Sequence, residues 1–131
     1  MSISAADLLN FAEEYVPAAK MEVEYRMVAS RAYYAVYHAC KDYRDNAPVV
    51  FPLGDGRGGV HAELYSSFMN ATPAVFGAKN IAIKKLGAFA NGQLKSARVS
   101  ADYCIGDAFG ASDATDMIEK AKKAFRMLEA L

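Results

Sequence analysis

Apolar residues recur every three or four positions along most of the chain, and this spacing predicts α-helices. The first helix is predicted to begin at Ser4, whose side chain can cap it while Asp7 lies in its first turn, and to end at Pro17. A second helix, free of Gly and Pro, is predicted over residues 18–44. Its apolar positions are Met21, Tyr25, Val28, Ala32, Ala35, Val36 and Ala39.

Glycines and prolines mark where the later helices are interrupted. Residues 46–59 are rich in both and predict a loop. A third helix is predicted over residues 60–70, followed by an irregular stretch. A fourth is predicted over residues 79–107, although Gly87 and Gly92 weaken the pattern in its first half.

The last helix has the clearest apolar stripe, and an N-cap is predicted at Ser112. Glu119 and Lys123 are spaced as a favourable i,i+4 ion pair. With no strand pair and no internal repeat in the pattern, residues 1–131 predict a single all-α domain. The expected fold is a four- to five-helix up-down bundle. The stripe consists of Ala114, Met117, Ile118, Ala121, Phe125 and Leu128.

Composition narrows the function only a little. Acidic and basic residues are equal at 15 each, which argues against a strongly basic RNA-coating protein but permits a local basic patch. The hydrophobic share of 53% is enough for a core and leaves some apolar surface for a partner. With two histidines and no clustered acidic motif, we expect no metal site and no cofactor.

Cysteine usage and the N-terminal sequence bear on location. Cys40 and Cys104 form neither a C-x-x-C motif nor a zinc-type spacing, which favours a reduced, cytoplasmic setting. The first residues lack the positive start and apolar run of a signal peptide. No stretch is long enough to predict a membrane span.

The second helix carries the main candidate site. Arg31, Tyr34 and His38 are three and four residues apart and therefore share one helix face, with Lys41 and Asp42 one turn further on. Arg can hold a phosphate through two parallel hydrogen bonds, His can move a proton near neutral pH, and Tyr can donate a hydrogen bond or stack on a base. The competing interpretation is an Arg that reaches water and a His that is hydrogen-bonded within the bundle.

Two weaker candidates lie elsewhere. Residues 54–59, a glycine-rich loop with Arg57, lead into the helix that bears His61, and such amides can hold an anion, although a flexible connector is the favoured interpretation. Arg98 and Asp102 are spaced as an i,i+4 surface ion pair. Basic residues bias this part of the chain towards phosphate contact: Lys79, Lys84, Lys85, Lys95 and Arg98.

These motifs, in this order, resemble those of a known family. The run SRAYYAVYHA at residues 30–39 is similar to the second-helix signature of HEPN domains (higher eukaryotes and prokaryotes nucleotide-binding). The resemblance extends to ADLL at residues 6–9, to RVSADY at residues 98–103 and to the last helix. It covers most of the chain apart from the loop at residues 46–59.

The resemblance implies an all-α bundle, usually a homodimer, of prokaryotic toxin–antitoxin and defence systems. Many members are metal-independent ribonucleases whose site is an Arg followed, after four to six residues, by a His. Arg31 and His38 fit that spacing, with six residues between them. His38 would then take a proton from a ribose 2′-hydroxyl, Arg31 would stabilise charge on the phosphate and Tyr34 would orient a reacting group.

The later motif implies an alternative. Tyr103 follows Arg98 where a His would be expected, which is similar to family members that bind a nucleotide or RNA without cutting it. Lys41, Arg98, Asp102 and Tyr103 are the binding residues that this alternative implies. The partner could be RNA, a nucleotide or a nucleotidyltransferase-like antitoxin. A purely structural helical dimer is the third possibility.

Overall fold

Helices account for the architecture of this computed structural model, which describes residues 2–131. Five main helices form one bundle, no residue of this range lies in a strand, and none of these helices has the length and apolarity needed to cross a bilayer. The predicted all-α bundle is confirmed. The helices are α1 (Ala5–Tyr15), α2 (Glu22–Asn46), α3 (Val60–Met69), a short α4 (Pro73–Phe76), α5 (Asn80–Phe89), α6 (Lys95–Asp102) and α7 (Ala111–Glu129), and a π-helical turn (Ala90–Leu94) joins α5 to α6 as one continuous helix.

Helix α2 lies at the centre of the bundle. It packs against α1, α6 and α7, and its buried face carries small side chains at helical spacing. Ala29, Ala32 and Ala35 are fully buried, which lets the neighbouring backbones approach closely. Val28 and Val36 fill the remaining space. Four of the predicted apolar positions are therefore core positions, whereas Met21 is 62% exposed because it precedes the first turn of the helix.

The start of α1 agrees with the prediction, but α2 begins later than predicted. The Ser4 side chain accepts a hydrogen bond from the Asp7 amide at 3.1 Å, and the Asp7 carboxylate accepts one from the Ser4 amide at 2.8 Å. The chain does not enter α2 directly after Pro17. Pro17 lies in a 3₁₀ turn, and extended chain follows that turn. The Glu24 carboxylate then accepts the free amides of residues 20 and 21, so the helix begins at Glu22 rather than at residue 18.

Gly87 lies where α3 and α5 come closest. A Cβ atom at this position would be 2.7 Å from the Cβ of Phe68 and 2.9 Å from the carbonyl oxygen of Tyr65. No side chain fits that gap without displacing α3. The glycine that weakened the helical pattern is therefore a packing requirement, and the helix continues through it.

The fourth predicted helix ends at Asp102, not at residue 107, because Arg26 satisfies its terminal carbonyl groups from outside. The Arg26 guanidinium donates to the carbonyl oxygens of Ser100 and Ala101 at 2.9 and 2.8 Å. It also donates to those of Cys104 and Asp107, in the turn that follows. Carbonyls at a helix end have no partner within the helix, so the Arg26 side chain caps the C-terminal end of α6.

The N-cap of α7 is Gly110, and the prediction of Ser112 was wrong. The side chain of Asp113 accepts a hydrogen bond from the Gly110 amide at 2.8 Å, and the helix begins at Ala111. A carboxylate in the first turn satisfies the free amide and also suits the helix dipole. The cap therefore comes from inside the first turn rather than from the serine.

The predicted pair of Glu119 and Lys123 does not form. Glu119 lies 3.7 Å from Lys122, which also pairs with Glu13 of α1 at 3.4 Å. The ammonium group of Lys123 lies 4.8 Å from the centre of the Phe89 ring. Contacts with α1 and α5 thus override the intrahelical preference, whose strength is only a few tenths of a kcal/mol.

Arg26→Ala is expected to lower the free energy of unfolding by about 2–4 kcal/mol, because the end of α6 loses its main donor. Urea unfolding followed by circular dichroism measures this change. Arg126→Ala removes an exposed arginine from α7 and should change stability by no more than about 0.5 kcal/mol. Equal losses in the two variants would contradict the assigned role of Arg26.

Candidate functional site

The contact between α2 and α6 assembles an arginine-centred group of side chains. The Arg98 guanidinium donates from Nε to the Asp102 carboxylate at 3.1 Å and from Nη2 to the Tyr34 hydroxyl at 3.2 Å. Nη2 also lies 3.5 Å from the Tyr103 hydroxyl. Arg31 joins from α2, with its guanidinium 5.1 Å from the centre of the Tyr34 ring. These five residues are called the arginine cluster below.

Helical spacing on both helices explains the position of the cluster. Arg98 and Asp102 are one turn apart on α6, and Ser30 and Tyr34 are one turn apart on α2. The Ser30 hydroxyl donates to the Asp102 carboxylate at 3.3 Å, which adds a second link between the helices. The Arg98 and Asp102 side chains are 14% and 25% exposed, so this is a partly buried ion pair rather than a surface one.

The π-helical turn between α5 and α6 determines which face of α6 lies against α2. A π turn places one extra residue in the helix, and an extra residue rotates everything after it by about 100°. The turn ends at Leu94, so Arg98 and the other cluster residues of α6 follow it directly. Their alignment with Tyr34 therefore depends on this turn. The sequence showed it only as the small residues around Gly92.

His61 connects α3 to the cluster through aromatic contacts. Its ring stacks on Tyr37 with centroids 4.1 Å apart and meets Tyr34 edge-on at 5.6 Å. Its Nδ1 lies 2.7 Å from the hydroxyl oxygen of Tyr33, which in turn accepts a hydrogen bond from the Tyr65 hydroxyl at 3.0 Å. A chain of polar contacts thus runs from the buried core to the imidazole.

Burial and nearby charge keep this imidazole neutral. The pKa of His61 is lowered below its ordinary value, first by partial burial and then by the positive charges of Arg98 and Lys95, with His38 contributing last. Burial also raises the pKa of the Tyr33 phenol to about 12. Near neutral pH the site therefore contains a neutral imidazole and a protonated Tyr33 phenol beside permanently charged guanidinium groups.

Most of the predicted site residues lie together. The structure brings Tyr34, predicted from α2, into contact with Arg98, predicted from the later motif. Arg98 in turn contacts Asp102 and Tyr103, and Arg31 lies over the Tyr34 ring. A cavity of about 270 Å³ beside the cluster is lined by Arg31 and Asp102 among others. Arg31 and Tyr34 of the first candidate site thus form one site with the residues of the later motif.

His38 and Lys41 lie outside the cluster. His38 is exposed and lines a different cavity, formed with Ile3 and Leu8 near the start of α1. Lys41 pairs with Asp45 one turn along α2, at 2.7 Å. Arg31 lines the cavity beside the end of α6, so the exposed residues Arg31 and His38 of α2 line different cavities.

Sequence reasoning missed the role of His61, which it considered only with the glycine-rich loop. That loop uses its amides internally: the Gly54 amide donates to Glu63 at 3.1 Å and the Asp55 amide to Ser66 at 2.9 Å. The available signal was the second tyrosine row of α2. Tyr33 and Tyr37 are spaced four apart and face α3, where His61 lies.

Comparison of the chain with family models, with curated proteins and with solved structures found no match. Within residues 2–131, no three His, Cys, Asp or Glu side chains come together as a metal-binding group. The groups that the site presents to a ligand are guanidinium, phenol, imidazole and ammonium groups. Most of them are hydrogen-bond donors, and the one carboxylate is already paired.

The free energy of unfolding is expected to fall as the pH is lowered from about 7.5 to 5.5. The pKa of His61 lies below 6.5 in the folded protein, so in that window the unfolded chain binds more protons than the folded one. Above the ordinary pKa this contribution is complete and constant. Urea titrations at several pH values measure the slope, and His61→Gln should remove its share. An unchanged slope in the variant would contradict the assignment.

Proposed function

We propose that this chain is a HEPN-like domain that binds the phosphate groups of a nucleotide or of single-stranded RNA at the arginine cluster. The observation that carries the proposal is the way Arg98 is held. Asp102 and the two phenols occupy Nε and Nη2, and within residues 2–131 Nη1 makes no hydrogen bond. Both Nη1 hydrogens remain for an anionic oxygen, and the side chain is already oriented.

The charges around the cluster favour an anion. Arg31, Lys95 and Arg98 bring three positive charges near one another, against the single carboxylate of Asp102. The neutral total of the chain therefore hides a local basic site. Partial burial strengthens these charges relative to open solvent, because less water and salt screen them.

Aromatic rings around the cluster offer surfaces for a base. Tyr103 is 66% exposed beside Arg98, and Tyr34 and Tyr37 are partly exposed on the other side. A base stacked on such a ring gains about 1–3 kcal/mol with little dependence on sequence. A phosphate donor beside aromatic rings supports recognition of a nucleoside phosphate rather than of a simple anion.

Two features support the HEPN-like part of the proposal. The chain folds as an all-α bundle, and the SRAYYAVYHA run of α2 meets the RVSADY run of α6 at one site. The proposal carries the family's context with it: a prokaryotic toxin–antitoxin or defence system, a homodimer, and a nucleotidyltransferase-like antitoxin as a possible protein partner.

Arg98→Gln is expected to weaken binding of a fluorescent single-stranded RNA by about tenfold to a hundredfold, because a charged donor to phosphate is lost. Fluorescence anisotropy at several salt concentrations measures this change. The slope of log affinity against log salt should shrink by about 0.7, the value for one phosphate contact on a single strand.

Arg126→Gln is the matched control, since it removes the same charge from an exposed position on α7. Thermal melting confirms that both variants are folded. Equal affinity of the two variants for RNA and for nucleotides would refute the proposed site.

A second candidate function is metal-independent cleavage of RNA, favoured by one observation. Arg31 and His38 are both exposed on one face of α2, about 10 Å apart along the axis, so one RNA strand along that face meets both. His38 would take the 2′-hydroxyl proton and the 2′-oxygen would attack the adjacent phosphorus. The next nucleotide's 5′-oxygen would leave with a proton taken from water, giving a 2′,3′-cyclic phosphate, and His38 would release its proton to water. Arg31 would stabilise the phosphoryl charge and Tyr34 would orient the phosphate.

For this second function, wild-type protein is expected to cleave RNA in excess chelator, and His38→Ala should be slower by about a hundredfold or more. Gel analysis of a labelled RNA measures the rate, and anisotropy checks that the variant still binds. Cleavage at equal rates by both proteins, or none by the wild type, would exclude His38 as the base.

A further inference from the structure

The hydroxyls of Tyr33 and Tyr65 define the direction of the polar chain that ends at His61. Both tyrosines are fully buried, and each hydroxyl has one hydrogen to donate. Tyr65 donates its hydrogen to Tyr33, so the hydrogen of Tyr33 is directed to Nδ1 of His61. The opposite direction would leave the buried Tyr65 hydrogen without an acceptor, which is costly.

This direction fixes the tautomer of the imidazole. Nδ1 accepts a hydrogen bond, so the neutral ring carries its hydrogen on Nε2. Nε2 has no hydrogen-bond partner within residues 2–131, and it is not among the buried unpaired polar atoms of that range. It therefore reaches solvent, on the opposite side of the ring from the buried phenols.

His61 lies beside the arginine cluster. Tyr34 contacts both His61 and Arg98. Its ring centre is 5.6 Å from that of His61, and its hydroxyl accepts a hydrogen bond from Arg98 at 3.2 Å. A phosphate bound at Nη1 of Arg98 carries several acceptor oxygens, and a neutral N–H donor nearby can satisfy another of them. Tyr37 stacks on the imidazole, with ring centroids 4.1 Å apart, and holds its plane.

We propose that His61 is a ligand-binding residue of this site, which donates its Nε2 hydrogen to the phosphate bound by Arg98 and is held in that tautomer by Tyr33 and Tyr65. The inference rests on the proposed function. It also assigns a chemical role: with Nδ1 occupied and Nε2 protonated, this imidazole has no free lone pair and acts as a donor rather than as a general base.

Two substitutions at position 61 test the role of the donor. The amide nitrogen of Gln reaches about as far along the side chain as Nε2, whereas that of Asn ends near the place of Nδ1. His61→Gln should therefore bind RNA within about threefold of wild type, and His61→Asn should bind about tenfold more weakly. Anisotropy under the conditions used for Arg98→Gln gives both values. Equal weakening, or none in either variant, would overturn the inference.

The tautomer itself is measurable without a ligand. Long-range ¹H–¹⁵N spectra of the wild-type protein at pH 7.5 should show His61 with its hydrogen on Nε2. Tyr33→Phe removes the donor to Nδ1 and should give a mixture of tautomers, whereas Tyr37→Phe keeps the stacked ring and should leave the spectrum unchanged. A hydrogen on Nδ1 in the wild type would overturn the inference.

The outcomes separate this inference from the proposed function. Weak binding by Arg98→Gln together with wild-type binding by both His61 variants would leave the arginine cluster as the site and remove His61 from it. Failure of the wild-type protein to bind RNA or nucleotides would overturn both.

Discussion

The candidate site depends on the guanidinium of Arg26, which closes the end of α6 from a position on α2. An arginine suits this role because its planar group has five donors in a fixed arrangement, whereas lysine offers a single flexible ammonium group. The cap joins the two helices that carry the arginine cluster, and the cluster residues of α6 lie within its last two turns. One partly buried charge thus ends the helix and fixes the cluster against Tyr34.

The arginine cluster is preorganised for binding. Arg98 is held by Asp102 and by two phenols, so ordering it around a ligand costs less conformational entropy than ordering a free surface arginine. The arrangement keeps one edge of the guanidinium free while the other edges are occupied. Such a site favours an anion of defined geometry over general attraction to negative charge.

Periodicity predicted the long helices and the shared face of Arg31 and Tyr34, because these follow from spacing along one helix. Periodicity did not predict the end of α6, because a remote side chain determines where that helix ends. Arg26 lies 74 residues or more from the carbonyls it caps. His61 was missed for the same reason. Its partner Tyr33 is 28 residues away and on another helix. The row of Tyr33 and Tyr37 marks one side of that contact, but spacing along α2 does not show which residue of another helix lies against it.

Gly87 sets the distance between α3 and α5, and the position of the His61 imidazole depends on that distance. The position contacts no candidate ligand, yet a Cβ there would be 2.9 Å from the Tyr65 backbone. Any larger residue would push α3 outward and carry with it both ends of the contact to Tyr33, the Tyr65 hydroxyl and the His61 ring. The distance between α3 and α5 therefore determines whether the hydrogen bonds from Tyr65 through Tyr33 to His61 can form. A glycine at position 87 allows the distance that these hydrogen bonds require.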